Sequence, residues 1–215
     1  MSVRRLKILR GIPCLLAGVL CLLSIQLSAQ EEESIFIPYA FGGVTSSQVS
    51  GDNLSGFDQV GFNVGIGTEL QTNDTWKPRL ELFFNQLGSR KNSRPDEGDF
   101  DSYLLRLNYI QLALSMSYVR GSTGIELGLS PAYLLSFKEE DENGTVRGLG
   151  REFEDYDVSG LFGIRYAFSP RWELSTRLQQ SIIPVRDHTG SSTFRLNQGQ
   201  YNTAIQFSLR FLVNQ

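Results

Sequence analysis

The sequence predicts an all-β protein, an eight-stranded antiparallel up-and-down transmembrane β-barrel over residues 30–215, preceded by a cleaved signal peptide over residues 1–29. Three observations point there. The chain opens on cations followed by a short apolar run, the remainder alternates with a period of two over eight long segments, and the connections between those segments are alternately short and long. Strand side chains point to opposite faces in turn, so a period of two marks strands whose two faces differ.

The leader reads MSVRRLKILRGIPCLLAGVLCLLSIQLSAQ, with Arg4, Arg5, Lys7 and Arg10 ahead of an apolar run from Ile12 to Leu23 and with Ser28-Ala29 as a small-residue cleavage site. The run is shorter than the roughly 20 apolar residues of a spanning helix, and its flanks have the order of a secretory signal. Cys14 and Cys21 both lie inside it, so the mature chain has no cysteine for disulfides or thiolate metal sites. Loss of the four leader cations takes the formal charge from -3 to -7. An acidic protein of this kind lacks the basic surface that nucleic acid binding needs.

Alternation places strands near 35–48, 57–71, 76–88, 102–119, 123–138, 156–169, 171–185 and 200–213. Several exceed a dozen residues, longer than the ~5–6 of a soluble strand and sufficient for the ~9–11 that cross a bilayer at a tilt. TNDT at 72–75, RGST at 120–123 and SPR at 169–171 are tight turns, whereas the connections at 50–56, 88–101, 138–155 and 186–200 are polar and longer. Short turns at one end and long loops at the other are the periplasmic and extracellular sides of an outer-membrane barrel.

One face of these strands, expected to meet lipid, carries residues such as Val64, Ile66, Leu112, Leu114, Leu127, Leu129, Phe137, Ile164, Leu174, Leu178 and Tyr201. The other mixes glycine, alanine and serine with charge. A barrel of eight strands is just wide enough for side chains to fill, so large charged residues there need small neighbours. Glu69, Glu81, Glu126 and Glu173 are therefore expected to pair in the lumen with Arg79, Arg165, Arg177 and Arg210, because buried charges persist chiefly in pairs. A proton or ion path is the rival use of such a set. Trp76, Tyr118, Phe168, Trp172 and Phe211 all fall beside a short turn or the chain end, where a periplasmic aromatic girdle belongs.

The stretches LNYIQLALSMSYVRGSTGIELGLSPAYLLSF, GLFGIRYAFSPRWELSTRLQQSI and NTAIQFSLRFLV resemble the hairpins and terminal strand of PorT-like outer-membrane β-barrel proteins. Tyr109, Ile110, Gln111 and Leu112 hold the places of that family's strand-opening motif, with Ala113 where relatives often have proline. The resemblance implies a Gram-negative outer membrane and no catalytic signature. The terminal strand, with Phe207, Leu209 and Phe211 at alternate positions, is similar to the signal read by the barrel-assembly machinery.

Two constellations could carry chemistry. His188 stands beside Asp187 and near Ser191 and Ser192, the composition of a hydrolase site without a rigid scaffold to hold nucleophile and base in reach. Glu139, Asp141, Asn143 and Gly144 begin like a calcium loop, but Gly150 occupies the place of the bidentate Glu. No metal or cofactor is expected. The function read from the sequence is structural or interactive: a plugged barrel in contact with membrane lipid and lipopolysaccharide, reaching an envelope protein partner through its loops. The alternatives are an outer-membrane lipid or peptide hydrolase using His188, and a soluble periplasmic β-barrel with its apolar face inward around a small apolar ligand.

Overall fold

The computed structural model describes residues 35–51, 56–93, 96, 98, 100–142, 144–145, 152–187 and 199–213. Within the unit Phe36–Gln215 the strands are β1 Phe36–Ser50, β2 Gln59–Leu70, β3 Trp76–Lys91, β4 Tyr103–Arg120, β5 Thr123–Asp141, β6 Gly144–Thr145, β7 Tyr156–Ser169, β8 Trp172–Ser181 and β9 Tyr201–Leu212. Eight close into a ring, each antiparallel to both neighbours, with β1 pairing β9 to complete it. Closure leaves no open sheet edge around the ring, a requirement for strands in lipid. β6 is a two-residue strand folded back on the tip of β5. β8 stops at Ser181, short of the expected 185, as the chain approaches Pro184, which has no N–H to donate to a ladder.

The short turns have local causes. The Asn73 carboxamide accepts the backbone N–H groups of Thr75 at 2.9 Å and Trp76 at 2.6 Å, an Asx-type turn. Arg120 pairs with Thr123 across a two-residue turn whose first member, Gly121, has φ 61, a conformation that glycine adopts without steric cost. Pro170 and Arg171 link the paired Ser169 and Trp172. All three turns lie at one end of the barrel, and the strand ends that the four longer connections join lie at the other.

The outer wall changes character along its height. Nearer the short turns it is apolar on every strand, with exposed Val64, Ile66, Leu80, Leu114, Leu127, Ile164, Leu174 and Phe207 among its members. Above this band the outward residues become polar and bond to one another across strands. Gln86 donates to Asn108 at 2.9 Å and Asn108 to Ser136 at 3.0 Å. On the other side Thr203 donates to Gln180 at 2.8 Å and lies 3.2 Å from the Ser50 hydroxyl.

Inside, the order reverses. The lumen beside the apolar band holds the charged and polar side chains together with a smaller apolar cluster that includes Phe41, Phe83 and Leu161, while the lumen within the projecting end is an apolar cluster built on Val49, Leu87, Leu105, Leu107, Leu134 and Phe153. A register shift between Asn108 and Tyr109 leaves Leu135 without a partner opposite it and turns β5 over. Phe137, expected on the lipid face, pairs with Leu107 and meets the Phe153 ring at 5.3 Å, yet 51% of it stays exposed. Tyr201, also expected in lipid, is buried at the rim, where it pairs with Ser50.

Candidate functional site: the lumen and its rim

The charged residues enter the lumen because the ring fixes the parity of every strand. Register places Glu69 opposite Arg79 across β2–β3 and Glu173 opposite Arg210 across β8–β9. Residues opposite each other on one face have their Cβ atoms about 4.5–5.5 Å apart, so each pair meets directly. Contacts across the lumen then join the pairs into one network. Arg79 donates to Glu69 through Nε at 2.7 Å and to Glu173 through Nη1 at 3.0 Å. Arg165 bonds Glu69 at 2.5 Å and lies 3.4 Å from Glu173. Arg177 donates to Glu126 through Nε at 2.8 Å and pairs with Glu81. Arg210 reaches Glu173 at 2.8 Å, Glu81 at 3.2 Å and Glu126 at 3.5 Å.

All eight charged residues singled out from the sequence therefore lie together, each at most 6% exposed. Two further members went unnoticed. The Tyr39 hydroxyl donates to Glu81 at 2.7 Å, and Arg79 stands 5.3 Å from the Tyr39 ring centroid. Lys77 reaches Glu69 at 3.3 Å from the lower edge, with 16% of its side chain exposed. Tyr39 carried no distinct signal, since Ile37, Tyr39 and Phe41 form an alternating apolar run that could equally have faced lipid. Lys77 could have been found, because it shares the parity of Arg79 and Glu81 on β3.

Small residues make room. A Cβ added at Gly124 would come within 2.9 Å of Arg165 Nε, and one at Gly163 within 3.0 Å of Arg177 Cγ. Above the ions lies a layer of neutral polar groups: Asn85 donates to Gln179 at 3.2 Å, Gln206 to Gln179 at 2.7 Å, and Gln179 to Ser159 at 3.1 Å. Asp157, 1% exposed, accepts from Ser181 at 2.8 Å and from Asn202 at 3.2 Å.

At the rim, the Tyr103 hydroxyl donates to Glu139 at 2.6 Å, Arg186 pairs with Glu139 at 3.1 Å, and the Arg186 guanidinium lies 4.2 Å from the Phe153 ring centroid. Tyr103 stands fifteen residues above Tyr118 on β4, beyond the lipid band. Burial there and the Glu139 carboxylate push its phenol well above the ordinary tyrosine value. Glu139, first of the residues that resembled a calcium loop, is thus already engaged. Lys91, Asp101, Asp141 and Gln200 join these groups around an open cavity of about 450 Å³.

Trp76, Tyr118, Phe168, Trp172 and Phe211 are all on the outer wall at the short-turn end. The Trp76 and Tyr118 rings meet at 5.0 Å, and Trp172 and Phe211 at 4.9 Å. His188, Ser191 and Ser192 lie outside the described residues, while Asp187 is exposed.

A closed antiparallel ring with an apolar outer band and buried ions inside is an outer-membrane β-barrel, and the rival of a soluble barrel fails because the apolar face of the band points outward. The chain belongs to the outer membrane protein beta-barrel domain family, whose model matches residues 17–211. Among solved structures it is similar to Neisserial surface protein A, with a TM-score of 0.51 and 13% identity over 81% of this chain and 96% of that one. It is also similar to CarO of Acinetobacter baumannii, with a TM-score of 0.50 and 9% identity over 85% of this chain and 100% of that one. No curated protein sequence matches. The protein resides in the outer membrane of a Gram-negative cell, in contact with its lipids.

Proposed function

We propose that this protein is a non-conducting outer-membrane barrel that acts as a structural or interaction subunit of the cell envelope, for adhesion or within an envelope complex, through its projecting wall and long extracellular loops. The observation that supports this reading is the layering of buried side chains along the barrel axis. Three kinds of packing lie in series along the axis: the ion network, the amide layer and the apolar cluster around Leu107 and Phe153. An ion would have to cross an apolar constriction on one side and displace paired charges on the other. Stacking two opposite kinds of plug suits a barrel that anchors a surface better than one that transports.

The same reading includes residues 1–29 as a cleaved signal peptide, the terminal strand as the signal for barrel assembly, and the five lower aromatics as a periplasmic girdle. It also takes the resemblance of the hairpins to PorT-like proteins as the sign of its subgroup. No catalytic role is assigned. The hydrolase alternative rests on His188, and an unchanged rate for His188→Ala in lipid-deacylation and proteolysis assays, or no rate to begin with, rejects it. Purified protein reconstituted in planar bilayers should give no discrete conductance steps; steady unitary currents from the wild type would overturn the closed-lumen reading.

A further inference from the structure

Followed upward on β3, β4 and β5, the outer wall passes from Phe84, Ile110 and Tyr133 through the bonded collar of Gln86, Asn108 and Ser136 to a group of cations. Arg106 pairs directly opposite Lys138 across β4–β5, and Arg90 lies diagonal to Arg106 across β3–β4. Arg106 stands twelve residues above Tyr118 on β4. At ~3.3 Å per residue and a tilt of ~40°, that is about 30 Å of height, just past an apolar band ~25 Å tall. The cations therefore sit at the outer headgroup level.

Their local bonding is partial, for Arg90 donates to Asn92 at 2.7 Å and Lys138 has one ion pair. Like charges directly opposite on a ladder repel. Arg106 is exposed and makes no hydrogen bond or ion pair with a described residue, and Gly88, its partner on β3, puts no side chain beside it. Lys138 does pair with Glu140 at 2.9 Å, yet 53% of its side chain remains exposed. The acids of the β5 tip, Glu140 and Asp141, register opposite Leu104 and Tyr103, one step above Arg106, and line one open cavity with Arg90 and Arg106. The opposite wall has no such group among the described residues: above Gln180 and Thr203 the next positions of that parity are Ile182, which is exposed, and Tyr201, which is buried.

We propose that Arg106 and Lys138, with Arg90 beside them, bind the phosphate of an outer-leaflet glycolipid whose acyl chains lie on the apolar wall of β3–β5. The guanidinium fork of Arg106 suits phosphate oxygens, and an anion shared with Lys138 removes their mutual repulsion. The proposal rests on the outer-membrane location and is independent of the closed lumen.

The test is native mass spectrometry of the full chain in detergent, titrated with diphosphoryl lipid A, dephosphorylated lipid A or inorganic phosphate. Wild-type protein should retain diphosphoryl lipid A, and Arg106→Gln with Lys138→Gln should weaken it at least tenfold. Arg106→Lys with Lys138→Arg should keep it, as should Arg120→Gln, which removes a cation at the opposite end. Equal retention of dephosphorylated lipid A, an unaffected Gln double variant or an equal loss in Arg120→Gln would overturn the site. Displacement by inorganic phosphate at concentrations comparable to the lipid would replace the lipid with a soluble anion and overturn it as well. Heat-modifiable gel mobility reports insertion separately, so a folding failure is not mistaken for a binding failure.

Discussion

The two ends of this barrel are built on opposite rules. Beside the short turns, apolar side chains face out and ions face in; at the projecting end, Arg106, Asn108 and Lys138 face out while Leu105, Leu107 and Leu134 pack inside. One strand, β4, carries both arrangements: outward Leu112 and Leu114 below, inward Leu105 and Leu107 above, with the parity of the backbone unchanged between them. The contrast teaches that a face is defined by the medium it meets at each height. Lipid demands an apolar exterior, water a polar one, and the interior takes what remains.

The strongest way to break the comparison is to empty the lower core of one charge. Arg79→Ala leaves Glu69, Glu126 and Glu173 without a guanidinium that all three approach, and should cost about 3–5 kcal/mol in urea unfolding from lipid vesicles. Loss of an apolar residue from the upper core follows. Leu107→Ala, at a fully buried position, should cost about 2–5 kcal/mol in the same assay, as a cavity in a dry core does. A cost near zero would mean that the upper interior is wet. The smallest pair of effects locates the boundary on the outer wall. Leu114→Arg, placed within the lipid band, should cost ~2–4 kcal/mol, against ~0–1 for Asn108→Arg in the collar. Equal costs would show the lipid band to be misplaced.

Much of the lower half was legible. Glycine and serine sharing a parity with Glu and Arg marked a crowded interior, and the register of Glu173 with Arg210 gives the latter the carboxylate it requires. The upper half was not, because its apolar interior residues look like more lipid-facing wall. Leu134-Leu135 was the available warning: a doublet interrupts strict alternation where the bulge brings Phe137 opposite Leu107. Ile37, Tyr39 and Phe41 carried no warning, since either face of β1 could have received them.

By itself, the sequence determined that long alternating strands are joined by short turns and long connections in turn, and that small residues share a parity with four acidic and four basic side chains. These follow from period, turn chemistry and charge, all of which act over a few neighbouring residues. Only the tertiary structure decided which face of β1 points inward, where the apolar wall ends, and which carboxylate each arginine shares. Ring closure sets those together: with β1 locked between β2 and β9, Phe41 stands beside Arg210 and Tyr39 reaches Glu81, contacts between residues far apart in the chain.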